Sequence, residues 1–407
     1  MIASVYSILE CFNMIILGIE SSCDDTSVAL LDCSDDGFFV LSEKTASQID
    51  VHKKYGGVVP EIAGRMHAEN ILPVVEEVMR EWRTEIGDEH AKPDVIAVTT
   101  GPGLITGLLV GAEVAKTLSY LWDIPLIPTN HIEGHIHSVL VSGKDAGSTV
   151  RSLTSVAFPA LCLIVSGGHT ELVLMKDVGD YELLGKTRDD AAGEAFDKVG
   201  KLLGFEYPGG PKISAHAKTG NPHAIPFPRP MMTSDGYDFS FAGLKTAALY
   251  WLRDNNLAVT DPNPIFASLR GKFGISHRPI TISDFCASFE EAIVDVLIQK
   301  TKRAAKEYHA KTIILGGGVS ANPKLRNSLQ NLVEQNPSYE LLVPSPNYTM
   351  DNGAMIAVAS YHRAKKKEFV DWKDVVVNPN WKVYENNFKF PICTKNRTSA
   401  RKDDDGS

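Results

Sequence analysis

Three segments of the chain repeat one pattern: an apolar run that stops at small polar residues. The first is Ile15-Ile16-Leu17-Gly18-Ile19-Glu20, followed by Ser21-Ser22-Cys23-Asp24-Asp25-Thr26 and then Val28-Ala29-Leu30-Leu31. The second is Ala160-Leu161-Cys162-Leu163-Ile164-Val165, followed by Ser166-Gly167-Gly168-His169-Thr170 and Leu172-Val173-Leu174. Both predict β-hairpins with tight polar loops. The third, Thr312-Ile313-Ile314-Leu315, runs through Gly316-Gly317-Gly318-Val319-Ser320-Ala321-Asn322-Pro323 into a helix from Lys324. The spacing of apolar positions predicts further helices over 61–82, 105–122, 192–203, 283–309 and 351–366. Strands alternating with helices make the class α/β. A hairpin theme that returns about 145 residues later predicts two lobes of related architecture with a cleft between them.

The expected division is a leader over 1–14, a first lobe over 15–150, a second lobe over 151–385 and a disordered polar tail over 386–407. The segment 142–148 reads as a loop between lobes. The segment 254–279 carries Pro262, Pro264, Gly271, Gly274 and Pro279, and reads as an insertion into the second lobe.

The densest chemistry lies at Asn130-His131-Ile132-Glu133-Gly134-His135-Ile136-His137. His131 and His135 are four apart, so on a helix they share one face and can grip a metal ion from one rigid element. Pro125-Leu126-Ile127-Pro128 reads as a short strand before it. Asn130 is a good N-cap, and Glu133, three residues on, completes the pattern of a capping box. The positive end of the helix dipole then keeps both rings neutral and able to ligate. His137 points about 120° away from the pair and is left out of the set. In a zinc-peptidase helix the glutamate directly follows the first histidine; here Ile132 holds that place, which argues against a metallopeptidase.

Glycine turns after strands let backbone N–H groups approach an anion. Ser166-Gly167-Gly168, Gly316-Gly317-Gly318 and Thr100-Gly101-Pro102-Gly103 are such turns, and Asp24-Asp25 adds a paired-carboxylate loop. No Walker A pattern and no helix-opening G-x-G-x-x-G is present. Glycine turns and carboxylates drawn from both halves follow the logic of a two-lobed nucleotide cleft. Asp197 is either a dipole-matching residue of its helix or an acceptor for a ribose or substrate hydroxyl. Asp351 is either a helix cap or a third, anionic metal ligand. Spacing alone leaves both choices open.

Composition bounds the partners. The chain has 407 residues, 43% of them hydrophobic and 22% charged, as in an ordinary soluble globular protein. The formal charge of −9 does not advertise nucleic acid, so a polynucleotide partner needs a local basic patch. Two candidates are Lys300, Lys302, Arg303 and Lys306 on one helix, and Arg363, Lys365, Lys366 and Lys367 at the end of another. Six cysteines without a C-x-x-C pair fit a reducing compartment. No apolar run is long enough to span a membrane, so no membrane partner is expected. The leader contains no Lys or Arg and makes neither a good signal peptide nor a good transit peptide.

Nine ordered motifs together resemble the TsaD family of tRNA adenosine threonylcarbamoyltransferases, once labelled O-sialoglycoprotein endopeptidases. They begin at Gly18-Ile19-Glu20-Ser21-Ser22-Cys23-Asp24-Asp25-Thr26, Tyr55-Gly56-Gly57-Val58-Val59-Pro60-Glu61, His131-Ile132-Glu133-Gly134-His135 and Val165-Ser166-Gly167-Gly168-His169-Thr170. They continue through 189–198, Tyr207-Pro208-Gly209-Gly210-Pro211, Asp238-Phe239-Ser240-Phe241-Ala242-Gly243-Leu244-Lys245-Thr246, Gly317-Gly318-Val319-Ser320-Ala321-Asn322 and 349–355. The resemblance runs from about residue 15 to 384.

The resemblance implies a two-lobed actin/Hsp70-like (ASKHA) fold around a central nucleotide and metal cleft, with the last helix, 351–366, returning to the cleft. It implies transfer of the threonylcarbamoyl group from threonylcarbamoyl-adenylate, made by a separate synthase, to the exocyclic amine of the adenosine 3′ of the anticodon. The tRNAs are those reading codons that begin with A, and AMP leaves. It implies one divalent metal ion per subunit, zinc or iron, on His131, His135 and Asp351. It implies substrate and nucleotide contacts at Ile164, Val165, Ser166, Gly167, Gly168, Asp197, Gly210 and Asn322. Asp24 or Asp25 is the candidate for removing the amine proton. Motif details are similar to bacterial members, and with the leader, insertion and tail they suggest a mitochondrial homodimer, the alternative being a bacterial cytoplasm. The rival readings are a metallopeptidase and an actin-fold kinase or ATPase; against the second, the first loop lacks the D-x-G-x-T pattern.

Overall fold

The computed structural model describes residues 13–143, 150–255, 280–385 and Phe390. Most of the expected leader, insertion and tail therefore lies outside the described residues, as does 144–149 of the loop between lobes.

Among the described residues eleven strands form two sheets. The first contains β1 (Met14–Glu20), β2 (Asp25–Ser34), β3 (Gly37–Ser47), β4 (Val95–Gly101), β5 (Leu126–Asn130) and β6 (Val141–Ser142), in the order β5-β4-β1-β2-β3-β6. The second contains β7 (Ala160–Val165), β8 (Thr170–Asp177), β9 (Asp180–Lys186), β10 (Thr312–Gly316) and β11 (Glu340–Leu342), in the order β11-β10-β7-β8-β9. The two sheets share one design. A three-strand antiparallel meander opens each, and two parallel strands extend it from the first strand. The repeated hairpins of the sequence are the first two strands of these meanders. Each acquires a third strand, β3 or β9, that the hairpin pattern does not announce.

Side-chain alternation on the strands builds the layers. On β1, Leu17 and Ile19 enter a core beneath the helices Pro60–Ile86 and Ile105–Trp122, while Ile16 faces the opposite way. On β7, Leu161, Leu163 and Val165 enter a core with the helices Ala192–Leu202, Gly209–Ala217, Ala242–Asp254 and Ile282–Glu307. Ala160, Cys162 and Ile164 face the other way and meet Ile16 in a central core shared by both sheets. The helices His131–His137 and Gly353–Lys365 lie in that central layer.

The helices match their periodicity closely, and their ends have local causes. The helix Pro60–Ile86 starts with proline at its first position and stops at Gly87, which takes φ 73°. It outruns the expected 61–82 by one turn. The helix Ile282–Glu307 has a true capping box between Thr281 and Asp284. The helix Gly353–Lys365 lies late in the sequence yet packs on β1 and β2 of the first sheet. Gly18 makes this possible: a Cβ there would sit 2.1 Å from the Gly353 carbonyl oxygen.

Candidate metal centre and nucleotide cleft

The strand β5 ends in Asn130, which turns the chain into the helix His131–His137. Asn130 Oδ1 accepts from the backbone N–H groups of Ile132 (2.9 Å) and Glu133 (3.3 Å). The expected cap is present, but the reciprocal half of the capping box is not. The Glu133 carboxylate instead accepts from Tyr181 Oη and Arg363 Nη2, both at 3.2 Å. A half-buried cation and a phenol outcompete a backbone N–H for that charge.

His131 and His135 face one point. Their Nε2 atoms lie 3.6 and 3.2 Å from one oxygen of Asp351, and their ring centroids are 4.6 Å apart. All three donor atoms fall within 4.8 Å of one another. Asp351 is free to do this because Asn352, not Asp351, caps the following helix by accepting from the Met355 N–H at 2.8 Å. His137 is buried with its Nδ1 near the Glu133 carbonyl, outside the cluster.

The donor set fits a divalent cation. His135 is fully buried, and neither of its ring nitrogens has a hydrogen-bond partner. Burial works against charge on His131, yet Glu20 and Asp351 together push it up to about 9. Burial would raise the Asp351 carboxyl, but His131 and His135 outweigh it and hold it below the usual carboxylate range. The site thus has an excess of carboxylate over fixed positive charge. Two imidazoles and one carboxylate, with positions left open, make a set suited to zinc or ferrous iron.

Glu20 is absent from the residues that spacing singles out. It ends an otherwise apolar strand, and a lone carboxylate at such a strand end is the signal that points to it. Alternation puts it on the same face as Ile16 and Gly18, toward the central layer. Glu20 Oε2 lies 3.0 Å from His131 Nδ1 and accepts from Thr99 Oγ1 at 2.6 Å; Oε1 accepts from the Ser22 N–H at 2.6 Å. A carboxylate on Nδ1 fixes the tautomer that leaves Nε2 free for a metal. Glu20→Gln is therefore expected to weaken metal affinity by about 10–100-fold while leaving the fold intact. Metal titration of the apoprotein checks this; an unaltered affinity would remove Glu20 from the site.

The cleft above these residues is an open cavity of about 640 Å³. The first lobe lines it with Ser22, Cys23, Asp24, Gly56, Gly57 and the turn Pro102–Gly103. The second lobe contributes Ser166, Gly167, Gly168, His169, Asp197 and Lys201. His169, whose ring lies 6.5 Å from that of His131, is pushed down to about 4 by burial and so stays neutral. Burial raises Asp24, and the charge of Asp351 adds to it. Burial pushes Asp25 up to about 7, and its Oδ1 has no hydrogen-bond partner.

A second cavity adjoins the first and shares Gly167, Asp197, Tyr207 and Met350 with it. Gly210, Phe196, Val319 and Asn322 complete much of its wall. Asp197 Oδ1 accepts from the N–H groups of Gly209 (2.8 Å) and Gly210 (3.2 Å), so it anchors the next helix rather than capping its own. Asn322 caps the helix Pro323–Glu334 through Leu325 N–H and donates to Glu290 at 2.6 Å. Ile164 and Val165 differ from the other expected contacts: their side chains are fully buried in two different cores. Only their backbone is left to face a ligand.

In the two basic helices Lys302, Lys306, Lys366 and Lys367 stay exposed as candidate phosphate contacts, while the other cations are engaged within the fold. Lys300 is fully buried with its ammonium over the Phe239 ring, and Arg303 donates to the Ser234 and Gly236 carbonyls. Arg363 is tied to Pro128 O and Glu133, and Lys365 to Asp35. These cations hold turns and helices together, and only part of each cluster remains on the surface.

Comparison with known proteins follows the same geometry. The family model described as TsaD, tRNA N6-adenosine threonylcarbamoyltransferase, matches residues 39–358. The chain is 46% identical over 361 residues to a protein of that name from Thermomicrobium roseum, covering 87% of this chain and 93% of the relative. It is 44% identical over 347 residues to one from Bacillus subtilis, covering 85% and 90%. Among solved structures, HypF from T. kodakarensis superposes with a TM-score of 0.52 at 14% identity, over 86% of this chain and 48% of that one. Full-length HypF in a phosphate- and nucleotide-bound form gives 0.54 at 13%, over 88% and 48%. The chain spans about half the length of those two structures, and the likeness shows a shared actin-like α/β fold.

Proposed function

The chain belongs to the TsaD family of tRNA N6-adenosine threonylcarbamoyltransferases, and from that premise we propose how its cleft carries out tRNA modification. The protein is a transferase. The donor is threonylcarbamoyl-adenylate from a separate synthase, and the acceptor is the exocyclic amine of the adenosine 3′ of the anticodon in tRNAs reading A-starting codons. The observation that carries this reading is the meeting of His131, His135 and Asp351 beside a cavity walled by glycine turns.

His131, His135 and Asp351 hold one divalent metal ion, with Glu20 orienting His131. A metal there supplies Lewis acidity toward the donor's acyl group. The adenylate's nucleoside lies in the second cavity, against Gly167 and Gly210, with Asp197 and Asn322 at its edge, and Gly168 faces the adjoining metal cavity. Ser166 and the backbone of Ile164 and Val165 shape the turn that carries Gly167 and Gly168. The acceptor nitrogen attacks the carbamoyl carbon, the bond from that carbon to the phosphate oxygen breaks, and AMP leaves with the electron pair. The proton lost by the amine goes to Asp24 or Asp25; burial raises both carboxyls, Asp25 to about 7, which favours proton uptake. Holding donor and acceptor together in one cleft lowers the entropic barrier to their reaction.

Neither rival fits as well. A zinc peptidase needs a general base beside the metal, and the Glu133 carboxylate is held by Tyr181 and Arg363 instead. An actin-fold kinase is disfavoured by the altered first loop. Mitochondrial residence, preferred to a bacterial cytoplasm, and assembly as a homodimer belong to the same proposal; cell fractionation and sedimentation test them. Among the described residues no helix is long and apolar enough to cross a membrane.

The decisive experiment supplies the purified chain with unmodified tRNA, threonine, bicarbonate, ATP and an active synthase. Mass spectrometry of the digested tRNA is expected to show threonylcarbamoyladenosine. Absence of that nucleoside while the synthase turns over would sink the reading.

A further inference from the structure

We infer that the acceptor RNA docks on one rim of the cleft, formed by the turn Lys53–Tyr55 with its following glycines and by the end of the helix Ala192–Leu202 around Lys201. This inference rests on the proposed tRNA substrate and assigns the surface that receives it. Four observations carry it.

First, the rim is the place where the two lobes meet across the mouth of the metal cavity. Gly56 and Gly57 line that cavity from one side and Lys198, Lys201 and Tyr207 from the other. A Cβ on Gly56 would lie 3.0 Å from Lys201 Nζ, so the lysine reaches over to the opposite turn. Gly56 takes φ 70°, which lets the turn fold back and bring its backbone this close.

Second, beyond the place of the donor itself the cavity wall is rich in carboxylate. Asp24, Asp197, Glu194 and Asp351 all line the same cavity. A neutral nucleobase can enter, but a sugar–phosphate backbone is driven outward to whatever cations stand at the mouth.

Third, those cations are few and identifiable. Lys53 is paired with Asp50, and Lys198 with both Asp190 and Glu194. Lys54 and Lys201 are exposed, and among the described residues neither has an ion-pair partner. They are the charges left to meet phosphate. This also answers the net charge of −9: the docking surface is small and local.

Fourth, the rim carries an aromatic platform. Tyr55 is 55% exposed, so its ring face is open to a ligand. An adenine pulled out of its stack needs a new stacking partner, and base–aromatic stacking is sequence-tolerant. Tyr55 stands between Lys54 and the cavity-lining Gly56, where an unstacked base and its flanking phosphates pass together.

The test uses the full chain and an unmodified tRNA transcript, with affinity measured by fluorescence anisotropy between 50 and 200 mM salt, a range over which counterion release is large (about 10³–10⁵-fold for six to ten contacts). The Lys54→Glu, Lys201→Glu double variant is expected to bind the transcript about tenfold more weakly or worse at 0.1 M salt, with a salt slope shallower by about 1–2. Tyr55→Ala is expected to weaken binding by about tenfold with little change in slope. AMP affinity, read by calorimetry, is expected to stay within twofold in Tyr55→Ala and in a single Lys54→Glu variant, since neither residue lines the cavity. Because all three side chains are exposed, a change in unfolding temperature is not expected. An unchanged affinity and salt slope in the double variant would overturn the rim while leaving the substrate reading intact. A wild-type chain that binds no transcript would overturn both.

Discussion

His135→Ala is expected to strip the protein of its metal and lower threonylcarbamoyl transfer by at least about 10²-fold. Among the described residues three side chains converge on the site, and two donors cannot hold the ion at catalytic occupancy. His135 is also the ligand with least else to do. His131 is tied to Glu20 and Ser22 as well as to Asp351, whereas among the described residues His135 has only its 3.2 Å approach to Asp351. Its loss should therefore cost metal rather than fold. Elemental analysis should give about one zinc or iron per wild-type chain and far less in the variant. Chelated wild type should match the variant in activity, and added metal should rescue only the wild type. His137→Ala makes the control, since that ring faces away from the cluster: it should keep its metal. Full transfer activity in the chelated wild type would refute the metal's role.

The path to that site was readable from the sequence where the information is local. The hairpins at 15–31 and 160–174 announce themselves by alternation and tight loops. The histidine pair announces itself by spacing of four, and Asn130 by its place before a helix. What spacing cannot carry is the partner of each side chain. Glu20 and His131 are 111 positions apart, and nothing local to either joins them. Glu133 satisfied a local capping pattern, but distant Tyr181 and Arg363 hold it. Lys300 and Arg303 looked like a charged helix face because three- and four-residue spacing does not say which face a later turn covers. The family resemblance supplied Asp351, which its own neighbourhood left as a cap or a ligand. The structure then explains why the ligand role is open to it: Asn352 is the cap.

Gly18→Ala is expected to destabilise the protein by about 3 kcal/mol or more and to loosen the metal site together with the fold. Gly18 lies in the middle of β1, paired with Ala29 on one side and Ala97 on the other. Its missing side chain is the space that the start of the helix Gly353–Lys365 occupies. An added Cβ would stand 2.1 Å from Gly353 O and 2.9 Å from Ala357 N. Both obstacles are backbone, so no rotamer change relieves them. The strand cannot retreat, because it is central in its sheet. The helix must therefore move, and by about 1 Å to restore ordinary contact. Gly353 is held from the other side as well, its N–H donating to Ser27 Oγ at 3.0 Å. Asp351 lies two residues ahead of this pinned point and shares its displacement. A shift of about 1 Å in a reacting or ligating group can cost about 10²-fold in rate. The variant should thus unfold several degrees lower and, in its folded fraction, bind metal more weakly than wild type. A matched pair of measurements checks it: thermal unfolding of the apoprotein, then metal titration below the transition. Unfolding within a degree of wild type would mean that the close backbone approach at Gly18 does not set the position of Asp351.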